Sequence, residues 1–475
     1  MNKVKFILSQ LLLGLAFSPQ VFASSDYSPI SEEVECPEGS SLNTQCYYLT
    51  VPKDYSLTNN NPEDTVNLFY TVTPAKNEAE RIGSLIFNFG GPGVPGSLEA
   101  MEMVNDLARW NQAYPKVGYN KVNEYFDVVG FDPRGTGGST FAEEIADCAL
   151  SSEGCDKTFQ SIAPYMGTNT TAKDLESLRI ALDEDKISYI GYSYGTRLGA
   201  VYADMYPEHV RSFVLDSAMN PALTNVNELY YSSLASFDKA LRIRLDRENR
   251  DVSGDMRELD WMMSRFEHKD FFSTADGAVL EKKHFITLLD AARSVDVDKK
   301  WALVKKPLFQ LLDNDKGAEF WNVIDELQKK AKTEQEEWKF QYDAVHRAVV
   351  CTDEHIKKER SENKFINKSA VFGQTVYQNN ASLCQGWSAK TDPILKIEET
   401  GTKLMPNSVM IVAAKNDPVT PYKWSKKMYN SFEQSAELLT INKKIENCLV
   451  FSFNLNPEAD KKVIHFLLDS VAMKQ

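Results

Sequence analysis

The sequence predicts an α/β fold: a mostly parallel, doubly wound sheet interrupted by one long helical insertion. Three observations carry this. Short, nearly all-apolar runs such as "SLIFNF" (84–89), "FDVVGF" (126–131) and "ISYIG" (187–191) end in turn or Gly/Pro-rich loops, as strands buried on both faces do. Segments of helical period lie between them, which implies βαβ crossovers. After Pro221 the texture becomes charged, aromatic and helical for more than a hundred residues.

In chain order, the first 23 residues read as a secretory signal. Lys3 and Lys5 supply the positive region, Ile7 to Phe17 the apolar one, and Val21-Phe22-Ala23 the cleavage site. No later run approaches the ~18 apolar residues of a membrane span, so an exported protein, periplasmic or secreted, is expected. From Glu35 to Ala75, β-rich runs alternate with turn residues and predict an antiparallel lead-in to the sheet. The core then runs to about 221. A cap of helices is expected over 222–390, with Trp261, Trp301, Trp321 and Trp338 as packing residues, and the core resumes over 391–475. "SVMIVAA" (408–414) and "AELLTI" (436–441) are the last strands, and a helix begins at Pro457.

Seven cysteines suit export. Cys36 with Cys46 and Cys148 with Cys155 could each close a short loop; Cys351 with Cys384 would close a longer one. Cys448 is left over; a buried apolar filler is its expected role, with a reactive thiol the alternative. The net charge of −14 argues against nucleic acid or an anionic membrane surface as partner. No His/Cys/Asp cluster has metal-ligand spacing, and no cofactor is expected.

Chemistry concentrates in three loops that follow predicted strands. "GYSYGT" (191–196) fits G-x-S-x-G between a strand and a helix. That context exposes Ser193 on a sharp turn and aims the Tyr194 amide at a developing oxyanion. In "NFGGPGVPG" (88–96) the glycines let backbone amides approach a ligand, with Gly91 the expected second donor. "KNDPVTPY" (415–422) places Asp417 just past a strand's carboxyl end, where the acid of a Ser-His-Asp set would stand; a turn carboxylate capping the next helix is the bland alternative.

With these residues in view, the chain resembles the tripeptidyl-aminopeptidase-like branch of the α/β-hydrolases, relatives of the proline iminopeptidases. The resemblance extends over "CYYLTVPKDYS", "NFGGPGVPG", "GFDPRGTGGS", "TTAKDLESLRIAL", residues 187–221, "RAVVCTDEH" and "NDPVTPY". It implies a helical cap on an α/β-hydrolase core and release of amino acids or short peptides from peptide N-termini. Ser193 would be nucleophile, Asp417 acid, and Gly91 and Tyr194 oxyanion donors.

The base departs from the pattern. The family carries a Gly-His pair after the strand that follows the acid loop. Here "TINKKIENCLV" (440–450) holds no histidine; the slot falls at Glu446 without a gap or at Asn447 with one inserted residue. Of the six histidines, His209 and the cap residues His268 and His284 read as surface or solvated, and His465 as packed on the last helix. His346 and His355 flank the segment where the cap rejoins the core. A serine hydroxyl is weakly nucleophilic unless a base takes its proton. The expectation is therefore a serine exopeptidase with an altered base; the alternatives are a catalytically impaired peptide binder and an esterase. A substrate amine would want a carboxylate, for which Asp353 and Glu228 are candidates. Nothing in the sequence sets an oligomeric state.

Overall fold

The computed structural model describes residues 28–38, 40, 43–57, 64–150, 155–223, 226–285, 297–323, 335–354, 383–384, 386–395, 397, 400–442, 445–452 and 455–469; the side chains of 149–150, 155–156, 226–228, 230–231, 267, 297–300 and 335–339 are outside this description. The signal-like segment, His355 and the Glu228 side chain thus fall outside it.

Nine strands form one sheet in the order β1-β2-β3-β5-β4-β6-β7-β10-β11. β1 (Ile30–Val34), β2 (Gln45–Pro52) and β3 (Thr65–Thr73) are the antiparallel lead-in. β4 (Gly83–Asn88), β5 (Phe126–Phe131), β6 (Ile187–Tyr192), β7 (Val210–Asp216), β10 (Val409–Ala414) and β11 (Ala436–Ile441) pair parallel. β8 (Phe271–Ser273) and β9 (Val279–Glu281) form a separate hairpin among the inserted helices, a feature the helical texture of that region conceals.

Every residue of β4, β6 and β10 is buried, because helices cover both faces. The alternation is legible residue by residue. Ile86, Ile187, Tyr189, Val409 and Ile411 face one cluster, which holds Leu175 and Leu178 of the helix Thr168–Ala181 and Leu198 and Val201 of the helix Tyr194–Met205. Leu85, Phe87, Ile190, Tyr192, Met410 and Val412 face the other, with Leu107 and Trp110 of the helix Gly96–Ala113 and Val463, Ile464 and Leu467 of the helix Pro457–Asp469. A third cluster belongs to the helices after residue 226. It packs Leu234, Phe237 and Leu241 against Leu259, Met262, Phe272, Trp301 and Val304. Trp301 is therefore a packing residue, whereas Trp261 is 47% exposed.

Two disulfides join Cys36 to Cys46 and Cys351 to Cys384. Cys148 is also disulfide-bonded, and the Cys155 side chain lies outside the described residues. No described helix is long and apolar enough to cross a membrane.

One buried ion pair ties the lead-in strands to the sheet and its helices. Arg134 Nε and Nη2 reach the two carboxylate oxygens of Asp174 at 2.8 and 2.7 Å, with both side chains fully buried. The guanidinium also donates to the carbonyls of Pro52, Lys53 and Tyr165, and Tyr55 Oη donates to Asp174 at 2.8 Å. Removing one partner strands the other's charge in the interior, which costs about 3–5 kcal/mol. Asp174→Asn should therefore lower the unfolding free energy by about that amount in denaturant titration, with a much smaller loss for Arg109→Gln at the exposed Asp106 pair.

Candidate active site

The carboxyl ends of the parallel strands converge, as they do at ligand sites in open α/β sheets. Ser193 follows β6 and adopts φ 50°, ψ −113° at the N-cap of the helix Tyr194–Met205. This left-handed conformation of a non-glycine residue is the strained turn that lifts a nucleophile out of the chain. Its amide donates to Asp216 O at 3.0 Å, and its carbonyl accepts from Thr196 N and Thr196 Oγ1. Close packing makes Gly195 obligatory: a Cβ there would lie 2.6 Å from Asn88 Oδ1 and 2.7 Å from Asn88 O. That contact seats the elbow against the start of the glycine loop. Gly90 likewise has φ +84° and would place a Cβ 2.5 Å from Tyr192 O.

Gly91 lies next in that loop at φ +105°, roofed by the ring of Tyr342, 3.2 Å from where a Cβ would stand. Tyr342 belongs to the helix Gln335–Asp353. His346, one turn on, stacks 6.0 Å from Tyr342, and burial lowers its pKa to about 4. It is neutral at physiological pH and weakly basic. Tyr194, the other expected donor, is the first residue of its helix, so its amide is one of the four without an intrahelical partner. Its phenol is bonded to Thr168 Oγ1 at 2.6 Å.

Asp417 is 3% exposed. Its Oδ1 accepts from the amides of Val419 and Thr420, and its Oδ2 from Thr420 Oγ1, each at 2.8 Å. The remaining partner is Asn447, whose Nδ2 lies 3.2 and 3.0 Å from the two carboxylate oxygens and 2.9 Å from Thr420 Oγ1. Among the described residues no histidine bonds Asp417. Of the two residues that could fill the base slot, Asn447 is therefore the one on the acid. Glu446 is buried beside it but is not a partner of that carboxylate. Burial raises the Asp417 pKa to about 6 against these hydrogen bonds.

Asn447 Oδ1 accepts from Cys448 Sγ at 3.1 Å, so the network orients the amide with its nitrogen toward the acid. A triad histidine donates to the acid from one ring nitrogen and offers the other to the serine. Asn447 supplies the first half of that function. It cannot supply the second, because an amide oxygen has no useful basicity near neutral pH. Cys448 packs partly buried against the core, and burial raises its pKa well above the usual thiol range. It is a filler that also holds the amide.

The loop carrying Asn447 is pinned by a residue the sequence reading passed over. Asp216 Oδ2, at the end of β7, accepts from Leu449 N at 2.5 Å and Val450 N at 2.8 Å. Ser217 Oγ donates to Asp216 Oδ1 and accepts from Cys448 N at 2.8 Å. A signal was available: the buried apolar strand β7 itself ends in this aspartate.

Asp353 is not a free carboxylate awaiting an amine. It is 2% exposed, and its two oxygens accept from Thr168 N at 2.7 Å and Thr168 Oγ1 at 2.5 Å. The other histidines lie elsewhere. His209 contacts Glu176, and His268 is exposed. His284, expected to be solvated, is buried 4.5 Å from Trp321. His465, expected to be packed, is exposed. Among the described residues no group of three or more His, Cys, Asp or Glu could hold a metal ion.

Elbow, glycine loop and acid, each at the end of a parallel strand, define an α/β-hydrolase site. The chain belongs to the alpha/beta hydrolase fold family, whose model matches residues 84–444. It is 28% identical over 429 residues to a tripeptidyl aminopeptidase of Streptomyces lividans, covering 82% of this chain and 76% of that one. It is 35% identical over 216 residues to the serine protease Hip1 of Mycobacterium tuberculosis, covering 40% and 38%. A putative hydrolase of Escherichia coli, YuaR, is 25% identical over 516 residues, covering 98% and 94%.

Burial of Asp353 raises its pKa from 3.8 to about 7. Between those values the folded chain keeps a proton that the unfolded chain releases, so stability falls as pH rises. In Asp353→Asn this contribution is absent. The wild-type Tm, minus that of Asp353→Asn, should therefore decrease steadily from pH 4 to pH 7 in paired thermal melts.

Proposed function

We propose that the protein is an exported serine hydrolase of the aminopeptidase-like class, acting on peptide N-termini through Ser193 and releasing amino acids or short peptides. The observation that carries this reading is the elbow: Ser193 holds a strained nucleophile conformation beside a glycine loop and a fully hydrogen-bonded acid. The named peptidases among its relatives support the substrate class. Export is supported by the signal-like first 23 residues and by the disulfides.

In this reading Ser193 Oγ attacks the scissile carbonyl, and the amides of Gly91 and Tyr194 receive the oxyanion. Among the described residues no imidazole stands beside Asp417 to accept the serine proton, and in this reading water carries it. Oxyanion stabilisation and binding without a complete triad sustain about 10³–10⁴-fold acceleration over water, so turnover is slow. A second reading, a peptide-binding protein without turnover, is favoured by the same Asn447 contact.

A fluorophosphonate probe separates the two. The hydrolase reading requires covalent labelling of the wild type that is lost in Ser193→Ala; no Ser193-dependent labelling leaves the binder. In the same assay series, Asn447→His should raise kcat/KM on a tripeptide p-nitroanilide by roughly 10²–10⁴-fold, the usual worth of a positioned base. Adding Ser193→Ala to that variant should abolish the gain.

A further inference from the structure

A cavity of about 380 Å³ lies between the first inserted helix, Val226–Arg247, and the acid loop. Among the described residues its polar lining consists of three lysines, Lys239, Lys415 and Lys423, and three hydroxyls, those of Ser232, Ser236 and Tyr422, with no carboxylate. Lys239 Nζ donates to Lys415 O at 3.0 Å, and Lys423 Nζ to Ser232 Oγ at 3.4 Å. Among the described residues none of the three is ion-paired. In a chain with 67 acidic against 53 basic residues, surface lysines ordinarily find acids. Three exposed lysines around one cavity without an acid give it a positive lining, to which an anion is drawn.

We propose that this cavity binds the C-terminal carboxylate of a short peptide, a reading that rests on the peptide-directed function above. Its position supplies the reason. In acyl transfer the base returns its proton to the leaving amine, so the leaving fragment lies on the base side of the nucleophile. That side is marked here by Asn447 on Asp417. Lys415 is two residues from Asp417, within about 7 Å along the chain. When an N-terminal unit is released, the leaving fragment carries the carboxyl terminus. A fragment of two or three residues spans roughly 7–10 Å, enough to pass along the acid loop, whose Lys415, Pro421, Tyr422 and Lys423 line the cavity. The lysines act as point charges, suited to a carboxylate that approaches from several directions.

The test uses the full chain carrying Ser193→Ala, so that ligands stay intact, with trialanine, trialanine amide and inorganic phosphate as calorimetric probes. Trialanine should bind roughly tenfold more tightly than its amide, as expected of several partly exposed charge contacts. Adding Lys415→Gln and Lys423→Gln should erase the difference, and raised salt should shrink it. Equal affinity for acid and amide overturns the cavity's role and leaves the peptide reading standing. So does an acid preference that survives the lysine substitutions. Lysine-dependent binding of phosphate without any acid preference also overturns the carboxylate assignment. Binding of neither peptide overturns both readings.

Discussion

The site depends on the carboxylate of Asp216. It stands at the end of β7, level with Tyr192 on one side and Val412 on the other, inside the sheet that carries both Ser193 and Asp417. From there it gathers two backbone amides of the loop 447–450 and, through Ser217, a third. An irregular loop buried against a sheet must satisfy its amides somewhere. Asp216 does this for the one stretch whose placement decides what faces the acid. Burial is the larger influence on its charge, raising its pKa to about 7 even against those donors. The same strand end accepts the Ser193 amide through its carbonyl. Ser193 and the loop 447–450 are thus anchored on one residue.

This anchoring keeps the site ordered with an asparagine, rather than a histidine, on Asp417. A buried acid deprived of its partner leaves an unsatisfied group that costs about 1–3 kcal/mol. Asn447 prevents that. Its nitrogen serves Asp417 and Thr420, and its oxygen is met by the Cys448 thiol, so the amide is satisfied at both ends. Asparagine at this position satisfies the fold but not the chemistry, since an amide has no titratable group to pass a proton onward. The asymmetry is between structure and catalysis: the acid needs a donor, and the serine needs an acceptor.

Much of this was legible in the sequence, for identifiable reasons. Strands covered on both faces must be apolar throughout, so β4, β6 and β10 announce themselves. The elbow requires glycine beside the nucleophile, and the spacing of Gly191, Ser193 and Gly195 displays it. Asp417 could be picked out because it lies in the short loop just past such a strand. The rest depends on contacts that no local pattern records. Asp216 meets its partner 233 residues away, and Asp353 meets Thr168 across 185. The choice between Glu446 and Asn447 turned on a single loop residue, which spacing alone does not settle. Burial of His284 and exposure of His465 were misjudged because charged helical segments bury one face whose phase short sequence windows fix poorly.

The Asp353 contact also shows how the inserted helices communicate with the chemistry. Asp353 and Glu354 end the helix that rejoins the core. Asp353 holds Thr168, which holds the phenol of Tyr194, while Glu354 pairs at 2.8 Å with Arg197, one turn further along the same elbow helix. Arg197 in turn donates to Leu223 O, just before the first inserted helix begins. Both ends of the insertion are therefore fastened to the helix whose first amide is the expected oxyanion donor. Tyr342, on the returning helix, closes over Gly91, the other expected donor. A shift of these helices relative to the sheet must move the contacts among Thr168, Tyr194, Arg197, Asp353 and Glu354 together, because these residues are buried and none can exchange its partner for water without cost. The amides expected to receive an oxyanion and the helices after residue 226 are thus held by one set of contacts.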